Sequence, residues 1–99
     1  MQVKIHAVHF NADAKLENFI EEKIKKLSTF YDKIIGAEIF LRLENISAPA
    51  NKIIEVKLEI PGNDLFAKKQ NKTFEEATDQ AIDALKRQIQ KRKDKGKPA

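Results

Sequence analysis

The chain has 99 residues, with 19 Lys and Arg against 15 Asp and Glu and no cysteine. That length makes one domain, able to bury roughly two-thirds of its unfolded surface without staples. The lack of thiols excludes disulfides and thiolate chemistry, and no apolar run approaches the ~20 residues of a membrane span. Polar residues interrupt Met1-Gln2-Val3-Lys4-Ile5-His6, where a signal peptide would carry its apolar core, so a cytoplasmic protein is expected.

In chain order, Gln2 to His9 alternates Val3, Ile5 and Ala7 with Lys4 and His6, which predicts a half-buried strand. Phe10-Asn11-Ala12 is a short loop and Asp13 a good N-cap. A helix follows to about Ser28, ending near Phe30-Tyr31, with Leu16, Phe19, Ile20, Ile24 and Leu27 on one stripe. Lys23 projects inside that stripe, between Leu16 and Phe19. Its stem can lie on the core edge while the ammonium snorkels out, and the same direction takes it toward a groove beside the second helix, where it would meet a phosphate. Lys15 and Lys26 flank that side.

Gly36 breaks the chain before a second strand, Ala37 to Glu44, with Ile39, Leu41 and Leu43 on one face. Asn45 to Asn51 is a loop. Lys52 to Ile60 is the cleanest strand, Ile54, Val56, Leu58 and Ile60 alternating with Ile53, Glu55, Lys57 and Glu59. Pro61-Gly62-Asn63 is a tight turn, Leu65 to Gln70 a weaker fourth strand, and Asn71-Lys72 leads into the last helix.

That helix opens on a capping box, Thr73-Phe74-Glu75-Glu76. Phe74, Ala77, Thr78, Ala81, Ile82, Leu85 and Ile89 follow at helical spacing, and Gly96 and Pro98 end it. After Leu85 the chemistry changes to Lys86, Arg87, Lys91, Arg92, Lys93, Lys95 and Lys97, opposed only by Asp94. Residues 1–85 hold 12 basic and 14 acidic side chains; residues 86–99 hold 7 and 1. One or two lysines would complement the helix macrodipole. The excess points to a dense polyanion as partner.

The order β-α-β-β-β-α predicts an α+β, two-layer fold. The first helix is long enough to cross over between parallel strands one and two, and the short later links make antiparallel pairs. Both helices should cover one face of a four-stranded sheet. Residues 1–94 form the single domain and 95–99 a disordered basic tail. At 1.5 Å per residue, a helix from Phe74 to about Lys93 is ~30 Å long, against ~20–27 Å for the strands. The last basic turn or two should overhang the sheet, unshielded by its own domain. Reversing the charge of Lys91 together with Lys93 is then expected to spare folding and abolish RNA binding.

No enzyme is read here. His6 and His9 point to opposite faces of a strand and cannot share a metal. The glycines stand apart, without a phosphate loop, and the serines lack the context of a nucleophile elbow. No metal, cofactor or small-molecule substrate is expected. The open sheet face would show Lys4, His6, Phe40, Arg42 and Lys57, with Phe66 a further candidate, among Glu38, Glu55 and Glu59. Its charge is balanced and only Phe40 is clearly outward, which is a poor platform for stacked bases. The basic helix ends suit phosphate backbone and shape instead.

The pattern of His9-Phe10, Leu16, Phe19-Ile20-Glu21-Glu22-Lys23, Lys26-Leu27 and Phe30-Tyr31 resembles the ribosome hibernation-promoting factors. That group includes the ribosome-associated inhibitor also called the sigma-factor modulation protein. The run Ala81 to Ile89 with Lys91, Lys93 and Lys95 is similar to the family's last helix, and the resemblance spans residues 2 to 95. It implies a fold like double-stranded RNA-binding domains. It also implies binding to rRNA of the small ribosomal subunit, in the channel between head and body near the decoding region. There the protein would block messenger and transfer RNA in stationary phase or stress. By motif position the rRNA contacts carry over to Lys23, Lys26, Lys86, Arg87, Lys91, Lys93 and Lys95; the charge run adds Arg92.

Lys72-Thr73-Phe74 keeps the aromatic that leads into the family's last helix but not its acid. The chain lacks the linker and dimerising domain of some members, so it looks like the short form, monomeric in solution. The residues alone are equally compatible with a general binder of double-stranded or structured RNA.

Overall fold

The computed structural model describes residues 1–44 and 47–95, with side chains as far as Lys93. Strand β1 spans Gln2–Ala7, helix α1 Ala14–Phe30, β2 Gly36–Leu43, β3 Lys52–Glu59, β4 Leu65–Asn71 and helix α2 Phe74–Lys95. The sheet order is β1-β2-β3-β4; β1 and β2 are parallel and the other pairs antiparallel. The expected two-layer architecture is present, with α2 over β3 and β4 and α1 beside it.

This topology makes the helices run the same way. α1 returns against β1, and α2 returns against β4, which is parallel to β2. Contacts between the two chain regions advance together: the Phe10 and Phe74 rings stack at 5.4 Å, Lys23 meets Asp79, and Phe30 meets Lys93. Both C-termini, with their outward-facing carbonyls and partial negative charge, therefore lie at one end of the molecule.

Local chemistry sets the boundaries. Asp13 caps α1, its side chain accepting from the Leu16 amide at 2.8 Å. Thr73 caps α2 through the Glu76 amide at 3.0 Å. β1 stops at Ala7 rather than His9, because His9 adopts φ 63°, a left-handed conformation uncommon outside glycine. That turn carries the chain away from the sheet and toward the Phe10–Phe74 stack. Gly36 does not break the chain but begins β2, paired with Gln2; a Cβ there would stand 2.8 Å from the Gln2 carbonyl oxygen.

The whole stripe expected on α2 is buried, and Leu85 and Ile89 are fully so. They pack with Ile20, Ile24 and Leu27 of α1 against Ile39, Leu41, Ile54, Val56 and Leu58 of the sheet. Thr78, the polar member, donates its hydroxyl to the Phe74 carbonyl at 2.6 Å. Ile53 departs from expectation. It belongs to the open face of β3 yet is buried, outside the main core, beside its cross-strand partners Arg42 and Gln70. The Gln70 amide ties that corner to the Ala50 carbonyl at 2.6 Å.

The helix includes Lys95; the rest of the expected tail, 96–99, lies outside the described residues. Leu85→Ala is expected to cost about 2–5 kcal/mol by opening a cavity between α2 and the sheet, measured by denaturant unfolding.

Candidate nucleic-acid interface

The basic residues expected on α2 separate into two groups. Lys86, Arg87 and Lys91 are exposed. Arg87 and Lys91 sit one turn apart on the outer arc, and the Arg87 Nε donates over 3.4 Å to the Asp83 carbonyl on its own helix. Lys86 and Lys91 have no side-chain partner among the described residues.

Arg92 and Lys93 are half-buried and turned onto the protein itself. The Arg92 guanidinium donates to the Pro61 carbonyl at 2.5 Å, lying over Gly62 in the β3–β4 turn, where φ is +96°. Lys93 donates to the Phe30 carbonyl at 2.8 Å, with its ammonium 4.4 Å from the Phe30 ring centroid and 5.9 Å from that of Tyr31. α1 has no basic residue in its own last turn. Lys93 of the neighbouring helix supplies that cation to its C-terminal carbonyls and dipole. The expectation that the whole basic end stands unshielded is therefore corrected: α2 stays fastened as far as Lys93. Lys95 closes the helix; its side chain is outside the described set.

On α1, Phe19, Lys23, Lys26 and Phe30 recur at helical spacing on the side facing α2. Lys23 does reach the groove between the helices, but a carboxylate is already there. Its ammonium lies 3.2 Å from Asp79 of α2 and 5.4 Å from the Phe19 ring centroid. Asp79 is thus an inter-helix partner. Lys26 is exposed with no side-chain partner among the described residues.

Asp79, Lys86 and Lys93 follow one another at intervals of seven, two helical turns, so they line the α1-facing flank of α2. The groove thus has a lock at each end, Lys23–Asp79 and Lys93–Phe30, with Lys26 and Lys86 between them. Lys26 and Lys86 are both exposed and present their ammonium groups to solvent beside that groove. With Arg87 and Lys91 on the outer arc, this forms a cationic surface that can make charge-assisted contacts to a polyanion.

The opposite, sheet face is laced with internal pairs: His6–Glu38 at 3.0 Å, Arg42–Glu55 at 3.6 Å and Lys57–Asp64 at 3.7 Å. His6 stacks on Phe40 at 4.9 Å. Phe66, uncertain from sequence, is 63% exposed and lines a shallow groove of about 490 Å³ with Phe40, Glu55 and Lys57.

Residues 3–97 match the sequence model of the family described as sigma 54 modulation protein / S30EA ribosomal protein. The chain belongs to that family. It is 30% identical over 95 residues to a ribosome hibernation promoting factor of Klebsiella oxytoca, covering 96% of each chain. Against the protein of the same name from Pseudomonas putida it is 28% identical, covering 96% of this chain and 89% of the other. In fold it matches a ribosomal subunit interface protein from Coxiella burnetii, with a TM-score of 0.83 at 18% identity over 94% of this chain and 98% of that one. It also matches the N-terminal domain of Thermus thermophilus Protein Y, with a TM-score of 0.77 at 21% identity over 92% and 98%. No helix among the described residues is long and apolar enough to cross a membrane.

The two groups of cations should respond differently to mutation. Lys93→Glu is expected to destabilise the fold by about 1–3 kcal/mol, since it removes a charged hydrogen bond and a cation–π contact and sets an anion against carbonyl oxygens. Lys91→Glu should leave the melting temperature within the small range of ordinary surface substitutions, about 0.5 kcal/mol. Thermal melts of the two single variants make the comparison.

Proposed function

We propose that this chain is a cytoplasmic, ribosome-associated translation inhibitor. It binds the small ribosomal subunit near the decoding channel and blocks messenger and transfer RNA during stationary phase or stress. It acts by occupancy rather than by chemistry. The observation that carries this reading is the family match over nearly the whole chain, joined to the exposed cations Lys26 of α1 and Lys86, Arg87 and Lys91 of α2. Relatives matched over the same length are named ribosome hibernation promoting factors.

In this reading Lys26, Lys86, Arg87 and Lys91 contact rRNA phosphates directly. Lys23 lies within reach of the same strand but is already held by Asp79, and Lys95, the last residue of α2, belongs to the same expected set of contacts. Arg92 and Lys93 hold the surface in shape from behind. Phosphate contacts of this kind position a protein on folded RNA without reading bases.

Co-sedimentation tests the proposal. The protein is expected to travel with small subunits at near-physiological salt and to be displaced by messenger RNA with initiator transfer RNA. Equal retention on large subunits and on arbitrary duplex RNA would contradict it and favour a general structured-RNA binder.

A further inference from the structure

The Lys23–Asp79 contact is hard to explain as a stabilising device. Both side chains are substantially solvated, and exposed ion pairs contribute only about 0–1 kcal/mol. Its place in the molecule is more telling. Asp79 sets a carboxylate in the cleft that otherwise presents Lys23, Lys26 and Lys86, and it does so from the helix facing Lys23. The Phe19 ring beneath the ammonium limits the directions from which Lys23 can be approached. An incoming phosphate must then displace the Asp79 carboxylate from Lys23 or sit beside it as a like charge.

We propose that Asp79 is a specificity-determining residue. It is a built-in anion that weakens the cleft for polyanions at large and spares RNA whose phosphates meet Lys26 and Lys86 while leaving the Lys23 end free. This rests on the reading that the inter-helix cleft contacts rRNA. The physics is discrimination by a repulsive element rather than by added attraction. Two unit charges about 6 Å apart in a solvated cleft, at an effective dielectric constant between those of water and a protein surface, repel enough to shift binding by roughly 3- to 10-fold. Any RNA that presses a phosphate into the Lys23 end bears that penalty, whereas a matched RNA does not.

The test uses Asp79→Asn and Asp79→Glu, with two probes: purified small subunits and a duplex RNA of about 20 base pairs, longer than the ~16 that a double-stranded RNA-binding domain spans. Asp79→Asn should bind the duplex roughly 3- to 10-fold tighter, with a log–log salt slope steeper by about one as Lys23 becomes available. Small-subunit affinity should change less, so the preference for subunits falls. Asp79→Glu should behave like the wild type. A purely structural role predicts a lower melting temperature with no change in salt slope, and that result overturns the inference. So does an equal gain on both probes, or none on the duplex. If the wild type fails to bind small subunits at all, the proposed function falls and this inference falls with it. If the wild type binds them and Asp79→Asn shows no altered preference, only the inference falls.

Discussion

The apolar stripe of α2 must do two things at once. It closes the core over β3 and β4, and it carries a cationic surface on the same helix, within one turn of fully buried side chains. Leu85 is buried while its chain neighbours Lys86 and Arg87 are exposed; Ile89 is buried two residues before Lys91. The cations are therefore held on a rigid element rather than on a free tail. A rigid row of charges suits recognition of a fixed phosphate pattern, because little side-chain and backbone entropy remains to be lost on binding.

Co-directional helices bring a second constraint. Their C-terminal carbonyls gather at one end of the molecule, where partial negative charges add. Arg92 and Lys93 answer that locally, each bound to a backbone oxygen, one in the β3–β4 turn and one at the end of α1. Part of the basic run is thus architecture. Lys86, Arg87 and Lys91 are exposed and face outward.

The sequence carries the fold well because the fold is written in periodicities. The stripe from Phe74 to Ile89, the Asp13 and Thr73 caps, and the crossover length between parallel strands all depend on residues near one another in the chain. Other features depend on distant partners. Lys93 and Phe30 are 63 residues apart, and Arg92 and Pro61 are 31 apart. Charge counting cannot see a carbonyl at such a distance, so tied and free cations look alike in the sequence. Lys23 was legible as an anomaly inside an apolar stripe, but its carboxylate partner was not, since Asp79 also fits the first turns of a helix. Phe66 was obscure because β4 alternates weakly, with Lys68 and Lys69 falling on opposite faces.

The most direct measurement is the salt dependence of small-subunit affinity for the wild type and for a variant with Lys86, Arg87 and Lys91 all replaced by Gln. Titrations between about 50 and 200 mM salt cover the range where phosphate contacts dominate. If these three side chains each neutralise a phosphate, the variant should bind far more weakly at low salt, and its log–log slope should be shallower by roughly 2 to 3. An unchanged affinity and slope in a folded variant would contradict the account, because the outward cations of α2 would then have no part in binding.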